Sequence, residues 1–206
     1  VPLRLVWVPI TLLLHLAWNA HSADSQLRVD IAADARADMR TPGWENWLPE
    51  APSFAYKSGA LRLEIRALSG SLALRSQKAL LVRGLTMGAD AVVCEIDGDR
   101  APEVALRITG WQPGTHRLNL FLHAFSEPLR YELIDPSGTR RHATTRVDAT
   151  HNNQIVALHS QVQVDATGTA QWRLKGPVGK PLYLNGFSLE APQPNSQASE
   201  PHPAHL

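Results

Sequence analysis

Residues 103–126 read EVALRITGWQPGTHRLNLFLHAFS, and this stretch decides the fold class. Val104, Leu106 and Ile108 alternate with Ala105, Arg107 and Thr109; Leu118, Leu120 and Leu122 alternate with Arg117, Asn119, Phe121 and His123. A period of two puts one set of side chains on each face of a sheet. Between the runs lies Gly110-Trp111-Gln112-Pro113-Gly114. Pro113 presets φ near −65° and Gly114 accepts positive φ, which suits the two central positions of a tight turn. The stretch therefore predicts strand, turn and strand as an antiparallel hairpin in an all-β protein.

Working outward, the same alternation recurs. Strands are expected at 26–32, 53–57, 60–67, 91–96, 129–134, 154–159, 161–165, 170–175 and 182–190, with turns at Asp97-Gly98-Asp99, Asp135 to Gly138, Ala166 to Gly168 and Gly176 to Gly179. Many short strands punctuated by turns predict an antiparallel β-sandwich or jelly roll. Residues 34–40 are polar and alanine-rich and suggest a turn of helix, and residues 69–83 a loop with one helical turn. The run Thr41 to Pro52 holds three prolines and a glycine, so it reads as irregular loop. Two indoles in that loop, Trp44 and Trp47, are unusual for a solvated segment.

At the ends the composition changes. Residues 1–23 carry one positive charge, Arg4, then an apolar stretch to Trp18 and small residues up to Ala23, as a cleavable secretory signal peptide does. The sandwich domain is expected over 24–191. Residues 192–206 are rich in Pro, Ser and Gln and read as linker or tail. The expected localisation is secreted or periplasmic, with no membrane association after cleavage.

Removal of Arg4 leaves 19 basic against 19 acidic residues. A balanced surface argues against a nucleic-acid partner, which needs a basic stripe. The single cysteine, Cys94, lies in an apolar run and reads as a buried small hydrophobe. No nucleophile elbow, phosphate loop or paired metal-binding histidine motif is present, so a non-catalytic protein is expected. The nearest approach to a metal site is Asp97 and Asp99, whose alternating carboxylates would take calcium as a structural ion, without the rest of an EF-hand ligand series.

Sugars pack their C–H faces on aromatic rings and offer hydroxyls to planar polar groups. On that chemistry the candidate ligand-binding residues are Trp44 and Trp47 for stacking and Arg117, Asn119, His123 and Asn152 for polar recognition. A tryptophan plug closing one end of the sandwich explains Trp44 and Trp47 equally well. Trp111 and Trp172 read as core or edge packing, His116 as a solvated turn residue, and Asn152 also as a plain turn residue.

Ile108 to Leu118 followed by Phe121-Leu-His-Ala124 resembles the "isGLxpGtHxLxxyHN" segment of galactose-binding-like β-sandwich domains in secreted bacterial carbohydrate-active proteins. Pro42 to Trp47 resembles their "pGyxxW" loop, Val82 to Thr86 their "xDGlt" segment, and Leu184 to Leu189 their closing strand. The chain departs from the pattern at Arg83, where the family has Asp, and at Ala124, where it has Asn. The resemblance implies a carbohydrate-binding module, accessory to a polysaccharide-degrading enzyme on the same or a neighbouring chain, with a polysaccharide or oligosaccharide as partner. Two alternatives stand beside it. One is a protein-contact domain that packs on a catalytic partner. The other is a small polysaccharide lyase using a His or Tyr base with an Arg to neutralise a uronate, for which Arg117 and His123 share one strand face.

Overall fold

The computed structural model describes residues 26–33, 41–50, 54–76, 90–123, 128–138, 141–147 and 155–191. In chain order the strands are β1 Gln26–Ile31, β2 Glu45–Trp47, β3 Ala55–Ser58, β4 Leu61–Ser69, β5 Ser71–Ser76, β6 Asp90–Glu95, β7 Glu103–Thr109, β8 Gly114–Leu122, β9 Leu129–Ile134, β10 Arg141–Val147, β11 Val156–Val164, β12 Ala170–Lys175, β13 Leu182–Leu184 and β14 Gly186–Glu190.

They form a five-stranded sheet in the order β11-β8-β14-β1-β2, a six-stranded sheet in the order β10-β9-β12-β7-β4-β3, and a three-stranded sheet in the order β13-β6-β5. Every pairing is antiparallel except that of β1 with β2. The alternating positions read from the sequence are the ones that meet inside. Val29, Leu118, Leu120, Leu158 and Phe187 of the five-stranded sheet share one core with Leu63, Leu106, Ile108, Tyr131 and Leu174 of the six-stranded sheet. Tyr56 bridges the layers, with its ring 5.9 Å from Trp47 and 6.1 Å from Phe187. The all-β sandwich is therefore as expected.

The hairpin is not. β7 pairs with β4 and β12, whereas β8 pairs with β11 and β14, so residues 110–113 carry the chain from one layer to the other. Both linkages need the same turn chemistry, and alternation marks a core face without saying which strand lies alongside. The arch is held locally. Gly110 has φ +78°, and a Cβ there would stand 2.0 Å from the Ala60 carbonyl oxygen. The Trp111 amide donates to the Gly168 carbonyl (3.2 Å), and the Trp111 indole N–H donates to His116 Nδ1 (3.2 Å). His116 Nε2 then faces the Gln112 carbonyl at 2.8 Å and donates to it. His116 is buried, not solvated. It has the same parity as Leu118 and Leu120, which turns it into the core.

Three further expectations change. Residues 71–76, read as loop, form β5, because they pair along β6 from Ser71↔Glu95 to Ser76↔Asp90. Residues 45–47, read as irregular, pair with β1 in parallel, since the prolines of that run flank the three residues and leave their amides free to pair. The predicted strand 182–190 is broken at Asn185: β13 joins the three-stranded sheet and β14 the five-stranded one. The expectation of a helical turn at 34–40 lies outside the described residues.

Candidate functional site

The outward face of the five-stranded sheet is built from the positions that alternate with the leucines. Register aligns them in rows across the strands. One row is Gln161, Arg117, Glu190 and Gln26; the next is His159, Asn119, Ser188 and Arg28; a third is Ala157, Phe121, Gly186, Asp30 and Asn46.

The first two rows are joined by hydrogen bonds. His159 Nδ1 lies 2.7 Å from Asn119 Oδ1. Asn119 Nδ2 donates to Ser188 Oγ at 2.7 Å and to Glu190 Oε1 at 3.3 Å. Gln26 Nε2 donates to the same Glu190 oxygen at 2.7 Å, and an Arg117 nitrogen stands 3.9 Å from the other. Asn119 acts as the hub. Both of its amide groups are committed, so its orientation is fixed before any ligand arrives, and rigid polar groups lose little entropy on binding.

Aromatic surface adjoins this lane. Thr41-Pro42-Gly43-Trp44 is a tight turn: Gly43 has φ +78° and the Trp44 amide donates to the Thr41 carbonyl at 3.1 Å. Proline followed by a glycine of positive φ is what a type II turn requires. The turn sets the half-buried Trp44 indole between two residues of the sheet. Phe121 lies edge-on at 5.0 Å between ring centroids, and the Arg28 guanidinium carbon lies 6.0 Å from the indole centroid. Gly186, in the Phe121 row, contributes no side chain there. Gln26, Arg28, Gly43, Trp44 and Glu45 line a cleft of about 360 Å³ beside the ring.

Below the turn is a buried acidic pair. Asp30 and Asp90 are each 1% exposed. Asp30 Oδ2 accepts the Thr41 amide (3.1 Å) and the Thr41 hydroxyl, while Asp90 Oδ2 accepts the Ala33 amide (2.9 Å). Asp90 thus holds Ala33 and Asp30 holds Thr41. Burial pushes the Asp30 carboxyl up to about 6; the Thr41 hydrogen bonds oppose the rise and the neighbouring Asp90 charge adds to it.

The candidates from the sequence divide. Trp44, Asn119 and Arg117 share the outward face. Trp47 does not. Its register opposite Ile31 turns it into the core, where it is 5% exposed and packs edge-on against Tyr56. It closes the sandwich and presents no stacking surface. His123, directly after β8, is 2% exposed and lies inside, while the Arg117 side chain is 62% exposed. Asn152 lies outside the described residues.

Asp97 and Asp99 are exposed in the link between β6 and β7, and among the described residues no group of three or more His, Cys, Asp or Glu is placed to hold a metal ion. Cys94 is buried, its thiol pushed up to about 11 by burial, as expected of a core residue. Trp172 is in the core and Trp111 packs against it. Arg28, His159, Ser188 and Glu190 were not singled out as site residues from the sequence, whereas Phe121 falls on the strand face of Arg117 and Asn119. The signal for these four was there: each occupies a polar position out of phase with the core leucines of its own strand.

No protein-family model matches the chain, and no curated protein matches it. Solved structures do. A family 6 carbohydrate-binding module from Cellvibrio mixtus lichenase 5A, in complex with cellotriose, is 13% identical with a TM-score of 0.39; the match covers 59% of this chain and 88% of that one. A family 35 module from Cellvibrio japonicus Abf62 is 11% identical with a TM-score of 0.42, covering 61% and 91%. A family 61 module in complex with β-1,4-galactotriose is 14% identical with a TM-score of 0.39, covering 63% and 88%. These neighbours are of the class that the sequence motifs resemble. The likeness is one of broad layout and carries nothing about the ligand of this chain.

Proposed function

We propose that this chain is an exported, non-catalytic carbohydrate-binding module, and that a glycan lies across the outward face of the five-stranded sheet. The observation that carries the reading is the juxtaposition on that face: a pre-ordered polar lane centred on Asn119, flanked by the ring surface of Trp44 and Phe121. One sugar ring packs on the indole. Hydroxyls of the next donate to Glu190 and accept from Arg117, with His159 beside them, around the buried Asn119 that orders the lane. The cleft beside Trp44 seats a single residue of the chain, so affinity per site is expected in the millimolar to micromolar range, roughly 4 to 8 kcal/mol. Accessory service to a polysaccharide-degrading enzyme, with the module holding that enzyme at its substrate, follows as the use of such weak binding.

Affinity electrophoresis of the full chain in gels containing β-glucan, xylan, galactan, pectin or alginate tests the reading. Retardation by at least one polysaccharide is expected, with Trp44→Ala weakening it by roughly five- to thirtyfold, the loss of about 1–2 kcal/mol of ring packing. Unretarded migration in every gel, or retardation indifferent to Trp44→Ala, contradicts it. In the first case a protein-contact domain becomes the better account; in the second the glycan lies elsewhere than on Trp44.

A further inference from the structure

Most of the glycan platform is built on sheet strands, but its stacking ring is not. Trp44 stands on a four-residue turn whose first residue, Thr41, is tied to the sheet by Asp30. Resting on the glycan reading above, we propose that Asp30 is the positioning residue of the site: its ionised carboxylate holds the Thr41–Trp44 turn in the ligand-ready place, and protonation loosens it.

Asp30 lies on the same face of β1 as Arg28 and Gln26, yet it is 1% exposed where Arg28 is open to solvent. One oxygen, Oδ2, takes both Thr41 donors; the other, Oδ1, has no hydrogen-bond partner among the described residues. A buried carboxylate with one oxygen doubly bonded and one bare is a group whose charge is sustained mainly by those two bonds.

Among the described residues, the groups packed around it supply no cation in contact. They are Asp90 from β6, Asn46 opposite it on β2, Gly186 opposite it on β14, and Asn185, whose side-chain nitrogen donates to the Asp90 carbonyl at 2.7 Å. Arg28, two residues along β1, is turned toward Trp44. Among the described residues the proton therefore has a place to go, on Oδ1, with no cation there to keep it off as the solution becomes acidic. Once it binds, the two Thr41 bonds lose their charge assistance, which about halves such bonds. The turn is then held by less than the ordering of its residues costs, and Trp44 samples positions off the platform.

The test uses the full chain labelled with 5-fluorotryptophan, with the Trp44 resonance assigned by its loss in Trp44→Phe. In wild type the Trp44 fluorine resonance is expected to shift and broaden as pH falls from 7.5 to 5, with a midpoint near 6. In Asp30→Asn, which keeps shape but not charge, it should sit at the acid position throughout. Retardation in whichever polysaccharide gel slows wild type should weaken by roughly three- to tenfold over the same range, and Asp30→Asn should show the weakened value at every pH.

A resonance that stays put between pH 7.5 and 5, or the same titration in Asp30→Asn, overturns the proposal. So does a resonance fixed at all pH by added calcium and released by chelator, which would make a cation, not a proton, the controller of the turn. A Trp44 resonance that titrates as described in a chain retarded by no polysaccharide leaves Asp30 in its role and rejects the glycan reading instead.

Discussion

Trp44 and Trp47 are three residues apart and do opposite things. Register decides between them. Trp47 stands opposite Ile31 and turns inward; Trp44 precedes the strand, on the turn, and stays at the outward face. Trp47→Ala should cost about 3–5 kcal/mol of stability, because it leaves an indole-sized cavity against Tyr56. Denaturant unfolding measures this. Trp44→Ala should cost far less stability but most of the glycan binding. The sequence showed two indoles in a loop and their chemistry. It could not show their facing, because the three-residue strand that sets it is too short and too irregular to announce itself. His123 failed for a related reason: by strand parity it shares a face with Asn119, but it falls just beyond the end of β8, where the chain no longer follows the pleat.

At the scale of elements, the arch between β7 and β8 is the feature on which both layers depend. Gly110 sits at positive φ with the Ala60 carbonyl at its back. Gly110→Ala should therefore destabilise by more than the about 1–2 kcal/mol of an unfavourable left-handed residue alone, measured as a lowered denaturant midpoint with unchanged slope. The ring of His116 is predicted to carry its proton on Nε2, since Nδ1 accepts from Trp111 and Nε2 donates to Gln112; nitrogen-15 chemical shifts of the imidazole report this directly. The strand runs themselves were legible in the sequence, as was their inward face. Partnership was not. β7 and β8 each pair with strands more than 30 residues away in the sequence, and nothing in a Pro-Gly turn distinguishes a hairpin from a passage between sheets.

For the whole molecule, the Asp30–Asp90 pair makes stability depend on pH in a direction opposite to its effect on the site. The folded-state pKa of Asp30 is raised from 3.8 to about 6, so between these values the native state holds a proton that the unfolded chain has released. Stability from this group is fully present below pH 4 and is lost as pH rises through 6. The loss is on the order of 3 kcal/mol. Thermal unfolding of wild type should thus move to higher temperature between pH 7 and pH 5, and Asp30→Asn should remove most of that change. The same acidification weakens the hold on Trp44, so the fold tightens while the platform loosens.

The sandwich was readable at this scale because alternation and turn spacing repeat along the chain. The platform was readable only as residue types, since its rows are assembled from four strands and one turn. The most direct test of the platform is to map cellotriose and β-1,4-galactotriose onto the full chain by amide and indole chemical-shift changes at pH 7.5. The account predicts that the largest changes fall on the Trp44 indole, the Asn119 side-chain amide and the backbone of β8 and β14. Changes centred instead on the separate cleft of Arg75, Glu95 and Tyr183 on the three-stranded sheet, with Trp44 and Asn119 unmoved, would contradict it.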